Sequence, residues 1–108
     1  MGNKGDKASY DGGLATEGLV SKLKVIGNIS TRKMFGGHGI FHQGKMFGIV
    51  DSNGTVHLRT NDSSCIKYEK NGGHKHGKMP YHSIPETVLN DMEMLIDWAN
   101  ESIKISKN

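Results

Sequence analysis

The sequence has a single cysteine, Cys65, and only two prolines among its 108 residues. One cysteine excludes an intramolecular disulfide, which favours a reducing compartment. Long hydrophobic runs are absent too, because no stretch approaches the ~18 apolar residues that a membrane span needs. Neither sign of charge dominates, since 14 Lys and Arg residues accompany 11 Asp and Glu residues, giving a formal net charge of +3. We therefore expect a cytoplasmic protein without a membrane segment.

The length suits one domain with its own hydrophobic core. Residues 1–13 are rich in glycine, lysine and aspartate and have almost no apolar side chains. Such a segment cannot bury enough apolar surface to offset the entropy lost on ordering. The sequence thus predicts a flexible N-terminal tail over residues 1–13 and a single domain over residues 14–106.

Two segments have the apolar spacing of helices. The first runs from Leu14 to Ile26, with Thr16 as its predicted N-cap, and the last runs from about Asp91 to Ile105, with Asn90 as its predicted cap. A short helix ending near Lys70 follows the polar run at residues 60–63. Its predicted inward side chains are Cys65, Ile66 and Tyr68.

Between the first two helices the hydrophobic period changes to two, which indicates strands. The predicted strands are Ser30–Phe35, Gly39–His42, Lys45–Asp51 and Thr55–Arg59, with later extended pieces at His74–Lys78 and Tyr81–Ile84. Gln43-Gly44 predicts a two-residue reversal, and Asn53-Gly54 predicts a type I′ turn. The expected fold class is α+β with two layers: an antiparallel sheet of about five to six strands, a meander first, with helices packed on one face.

The third predicted strand is apolar at every position from Met46 to Val50, so it needs cover on both faces. Helices supply one cover, and a second subunit is the simplest source of the other. We therefore predict a homodimer whose interaction face includes Met46, Gly48 and Val50. Two alternatives are that part of the run is exposed or that a loop folds over it.

A longer pattern spans the first three strands. Arg32, Met34, Phe35, Gly36, Gly37 and Gly39 form an R-x-M-F-G-G-x-G stretch, and Met46-Phe47-Gly48 follows a short turn. Together with Leu95 and Trp98-Ala99 near the end, this pattern resembles the TfoX (Sxy) N-terminal domain family.

The resemblance implies an antiparallel sheet with helices and a role in regulating natural competence. It also implies a protein partner such as the cyclic-AMP receptor protein, with which full-length members act as transcriptional co-activators. Those full-length members carry a second, C-terminal domain that these 108 residues do not include. We therefore expect the fold to transfer to this chain better than the competence role does.

No set of side chains converges in the sequence as a catalytic site would, so we expect neither enzymatic activity nor a cofactor. His74 and His76 are the weak candidates for a metal site, because alternate residues of an extended segment share a face. No acidic or cysteine ligand accompanies them locally.

The alternatives to protein binding are nucleic-acid binding through a basic loop and the binding of a metal or small ligand. The candidate phosphate contacts are Arg59, Lys67, Lys70, Lys75 and Lys78. Exposed aromatic residues, on which single-stranded bases stack, are missing beside these lysines.

Overall fold

The computed structural model describes residues 12–34 and 36–108. The predicted tail therefore lies almost wholly outside the described residues, as does Phe35 of the glycine-rich pattern. The helices are α1 (Gly13–Leu23), α2 (Cys65–Lys70), α3 (Glu86–Leu89) and α4 (Met92–Ser106). The strands are β1 (Ile29–Met34), β2 (Gly37–His42), β3 (Lys45–Val50), β4 (Val56–Arg59) and β5 (Tyr81–Ser83).

The five strands form one antiparallel sheet in the order β1-β2-β3-β4-β5, against which the helices pack. The predicted α+β meander is thus confirmed. The Gln43-Gly44 reversal is a true two-residue turn, because both residues have positive φ, at 50° and 83°. The type I′ turn expected at Asn53-Gly54 is wrong, because the tight turn spans residues 51–54, where the Gly54 N–H donates to the carbonyl of Asp51, within a connection over residues 51–55. In it the Asp51 carboxylate accepts hydrogen bonds from the backbone N–H groups of Asn53 and Thr55.

Two of the predicted extended segments differ from the observed structure by more than one residue at an end. β2 begins two residues earlier than expected, because Gly37 pairs with Met34 and continues the ladder. The segment at residues 74–78 forms only one bridge, between Lys75 and His82 at the edge of β5. A turn then follows, in which the Met79 N–H donates to the carbonyl of His76.

The predicted helix caps are both wrong. α1 begins at Gly13, so Thr16 lies inside the helix, where its hydroxyl donates to the carbonyl of Gly12. α4 is capped by Asp91, whose carboxylate accepts from the Met94 N–H. Such a cap satisfies one of the free N–H groups of the first helical turn.

The core lies between the sheet and the helices. Its fully buried side chains include Ile40, Phe47 and Leu58 from the sheet and Leu23 and Leu95 from the helices. Burying one such side chain stabilises the fold by roughly 1.5–3 kcal/mol. The long period-3.6 pattern of α4 is therefore the feature that attaches this helix to the sheet.

Of the three side chains predicted to point inward from the short helix α2, only Tyr68 is buried. Tyr68 is fully buried, with its ring centroid 4.5 Å from that of Trp98, whereas Ile66 is 55% exposed and Cys65 is half-buried. Nearby, His82 of β5 bonds the Thr60 hydroxyl through Nδ1 and the Glu69 carboxylate through Nε2, both at 2.8 Å. Over the described ranges, the structure contains no helix of the length and apolarity required to cross a bilayer.

Candidate functional site

The sheet has an inner face toward the helices and an outer face away from them. Strand alternation and the observed register place these residues on the outer face: Arg32, Met34, Gly39, Phe41, Met46, Ile49, His57, Arg59 and Tyr81. Most of the side chains that could bind a partner or an ion lie on this face.

Gly39 is the centre of an apolar cluster on the outer face. A Cβ atom there would lie 2.8 Å from the Met34 sulfur, 2.9 Å from the Met46 sulfur and 3.0 Å from the Phe41 ring. The absence of a side chain at Gly39 therefore leaves room for the two Met sulfurs and the edge of the Phe41 ring. Contacts between a thioether and an aromatic ring are favourable. We call Met34, Phe41 and Met46 the methionine cluster; all three are half-buried. The guanidinium of Arg32 lies 5.2 Å from the centroid of the Phe41 ring, within cation–π range.

The regular alternation of side chains along β3 is interrupted partway along the strand. The register with β2 shifts between Ile40 and Phe41, so that Phe47 is an extra residue, a β-bulge. Phe47 consequently points into the core, while Met46 before it points to the outer face. Gly48 and Val50 lie on the inner face, where Val50 is fully buried. Their predicted position on an open interaction face is therefore wrong, and only Met46 is accessible there.

Ile49 is an apolar residue that β3 places on the outer face of the sheet. It is only 7% exposed, and it lines a cavity of about 250 Å³ together with Met34, His76 and Met79. The turn at residues 76–79 thus helps to cover β3 within a single chain, as the loop alternative proposed. A homodimer stays a prediction, but the cover of Ile49 no longer requires one.

Beside this cavity, three potential metal ligands come together. Asp51 follows β3, His57 lies on β4 opposite Ile49, and His76 reaches in from the edge of β5. One ligand atom from each lies within 4.8 Å of the others. The imidazole rings of His57 and His76 have centroids 4.4 Å apart. We call these three residues the histidine–aspartate cluster.

His57 is the buried member of this cluster, with 5% of its surface exposed. Its Nδ1 atom is buried and has no hydrogen-bond partner among the described residues. Burial lowers the pKa of His57, and the neighbouring His76 lowers it further; Asp51 and the backbone of Ile49 and Thr55 oppose the shift. Burial of the ring therefore favours its neutral form over the charged one.

Of the two predicted metal candidates, the structure brings only His76 into the cluster. His74 is exposed, and its N–H donates to the Ser83 hydroxyl. Sequence reasoning missed Asp51 and His57, which are distant from His76 along the chain. The available signal was weak: a histidine on an alternating strand and an aspartate at a turn.

The predicted nucleic-acid contacts are not gathered on one surface. Lys67 lies on the helix side, with its amino group 2.6 Å from Glu101 and over the Trp98 ring. Arg59 lies on the opposite face of the sheet, over the ring of Tyr81. Lys70, Lys75 and Lys78 are exposed. Nucleic-acid binding stays a prediction, although Lys67 and Arg59 lie on opposite sides of the sheet.

The remaining glycines of the pattern have structural roles. Gly36 has a φ of 77°, a value that side chains rarely adopt, in the connection between β1 and β2. Gly37 packs directly against the backbone of Val50 and Asp51, where no Cβ atom fits. The pattern therefore fixes how β1, β2 and β3 meet.

Comparison with known proteins supports the family resemblance of the glycine-rich pattern. No curated protein matches the chain. The family model of the TfoX N-terminal domain matches residues 21–106, which include all five strands and most of the helices. The chain therefore belongs to the TfoX N-terminal domain family.

Proposed function

We propose that this domain is a cytoplasmic, non-enzymatic protein-interaction domain that regulates competence-related transcription. Family membership supports the regulatory class. The observation that carries the binding role is the methionine cluster, an apolar surface of half-exposed side chains on the sheet face that the helices leave open.

The chemistry of the cluster suggests what it binds. Thioether side chains are flexible and polarisable, so they adapt to an apolar partner surface. Arg32 holds a positive charge beside Phe41, and the chain as a whole is basic. The partner is therefore a protein with an apolar patch and a carboxylate opposite Arg32. The cyclic-AMP receptor protein is the partner that we propose on the basis of the family.

Calorimetric titration with the purified cyclic-AMP receptor protein tests this proposal. Arg32→Glu reverses the charge beside the cluster, and we expect binding to weaken by about tenfold, or ~1.4 kcal/mol. Lys104→Glu is the matched control, because it makes the same charge change on an exposed position of α4. Absence of a complex with the unaltered domain, or equal weakening by both variants, would contradict the proposal.

Light scattering on the unaltered domain distinguishes a second copy of this chain from a different partner. A particle of twice the monomer mass that dissociates in Arg32→Glu would show that the cluster binds itself. In that case the proposed partner is wrong, while the surface is correctly identified. A monomer at high concentration would remove the homodimer prediction.

A further inference from the structure

We propose that Asp51, His57 and His76 bind one Zn²⁺ ion through two imidazole nitrogens and one carboxylate oxygen. This inference rests on the histidine–aspartate cluster and is independent of the proposed protein-binding role. Two histidines and a carboxylate are a ligand set that zinc accepts readily.

The geometry of the cluster is close to that of a bound metal. Its three ligand atoms lie within 4.8 Å of one another, compared with about 3.4 Å between ligands of a tetrahedral zinc with bonds of ~2.0–2.1 Å. His76 can close this gap by side-chain rotation, because it is half-exposed on a turn. Its main chain stays fixed meanwhile, since its N–H donates to the carbonyl of Tyr81 at 2.8 Å.

The buried Nδ1 atom of His57 is an independent sign of a ligand. Buried polar atoms normally have a hydrogen-bond partner, and one without a partner needs an explanation. This atom has none among the described residues, and His57 is only 5% exposed. A metal ion bound through Nδ1 would satisfy it.

Asp51 is held in place for this role. Its Oδ1 atom accepts from the N–H groups of Asn53 and Thr55, both at 2.9 Å. These bonds fix the orientation of the carboxylate, as outer hydrogen bonds do at known metal sites. Its negative charge would also offset part of the charge of the ion.

Asp51 and His76 also line the cavity of about 250 Å³ described above. Three protein ligands leave one position of a tetrahedral zinc free. That position would be directed to the cavity, where a water molecule can complete the coordination. The bound ion would tie the turn at residues 76–79 to β4.

A second group of potential ligands, Cys65, Glu69 and His82, is a weaker candidate. Both ring nitrogens of His82 already have partners, Thr60 and Glu69. A metal there would have to break at least one of these bonds. Cys65→Ser therefore serves as a control for the competing location.

The test is a calorimetric titration of the untagged chain with Zn²⁺, with Mg²⁺ as the comparison ion. We expect one saturable zinc site and no magnesium binding. When free Zn²⁺ is ~100 times its Kd, the unfolding temperature should rise by on the order of 10 °C. Absence of saturable zinc binding by the unaltered chain would overturn the proposal.

Variants locate the site. His76→Ala and Asp51→Asn should each weaken zinc binding by at least about tenfold. Asparagine retains an oxygen that can accept the two N–H bonds of the turn, so Asp51→Asn preserves the local fold. His74→Ala, in the same segment and outside the cluster, and Cys65→Ser should both bind zinc like the unaltered chain. The proposal is wrong if either control loses binding as strongly as His76→Ala does.

Nuclear magnetic resonance of the imidazole nitrogens gives a readout that does not depend on variant folding. In the unaltered chain, saturating Zn²⁺ should shift one ring nitrogen of His57 and one of His76. The ring nitrogens of His74 should stay unchanged. Shifts confined to His74 or His82 would refute the assignment.

Discussion

Replacing Gly37 by alanine should destabilise the domain far more than replacing the adjacent Gly36 does. At Gly37 a Cβ atom would overlap the carbonyl oxygen of Val50 and lie 3.0 Å from the Cα atom of Asp51. At Gly36 a Cβ atom meets nothing within 4 Å, but the backbone has a φ of 77°. The two substitutions therefore separate steric overlap from backbone strain within one motif.

The size of each stability loss depends on whether the atoms that a new Cβ atom would meet can move away. Overpacking costs about 1–3 kcal/mol when side chains rotate away. The atoms that oppose a Cβ atom at Gly37 belong to the backbone of β3 and its exit, which cannot rotate away. We therefore expect a loss of ~3 kcal/mol for Gly37→Ala. Gly36→Ala should lose only ~1 kcal/mol, the usual penalty for a left-handed conformation with a Cβ atom.

Urea unfolding followed by the fluorescence of Trp98 measures both losses. Trp98 is the only tryptophan of the chain, and only 8% of its surface is exposed in the folded domain. With a urea dependence of ~1.5 kcal/mol per M, the midpoint should fall by ~2 M in Gly37→Ala and by ~0.7 M in Gly36→Ala. Equal shifts in the two variants would refute the steric reasoning.

Three further predictions concern the helices and the buried tyrosines. Asp91→Ala should remove the cap of α4 and lower the free energy of unfolding by ~1 kcal/mol, whereas Asn90→Ala should leave it unchanged in the same urea assay. Glu101→Gln breaks an ion pair whose two side chains are each 38% exposed, so thermal unfolding should show a loss below ~1 kcal/mol that vanishes in high salt. Burial raises the pKa of Tyr68 and of Tyr81. Their neutral forms stabilise the folded state below pH ~10, the unfolded value, and stability should fall as the pH rises above it. Phenolate absorbance that develops for both residues before unfolding would contradict this.

The architecture was predictable because its signals are local. The apolar period of α4 and the reversal at Gln43-Gly44 each occupy a short stretch of sequence, and both appear in the structure. The caps were less predictable, because Asp91 and Asn90 are adjacent residues that can each accept a hydrogen bond from a helix N-terminus. In the structure Asn90 ends α3, where its backbone N–H donates to the carbonyl of Glu86, so that Asp91 is left to cap α4.

The predicted interaction face failed for a different reason. Alternation places Met46, Gly48 and Val50 on one side of a regular strand, but the bulge at Phe47 moves Met46 to the other side. When every residue of a strand is apolar, the hydrophobic pattern of the sequence does not reveal a bulge.

The histidine–aspartate cluster was not predictable for a third reason. It joins the end of β3, the middle of β4 and a turn beyond α2, which the sequence alone does not place together. Only the register between β3 and β4 and the path of residues 74–80 bring its members within reach of one another.

The bulge also has a consequence for how the domain can change over generations. Met46 and Phe47 are neighbours in the chain, yet one contributes to the open surface and the other to the packed interior. In a deep mutational scan that measures folded protein, position 47 should thus accept only bulky apolar replacements, while position 46 should also accept polar ones. Recognition of new partners can evolve at one residue while the next residue keeps the fold intact.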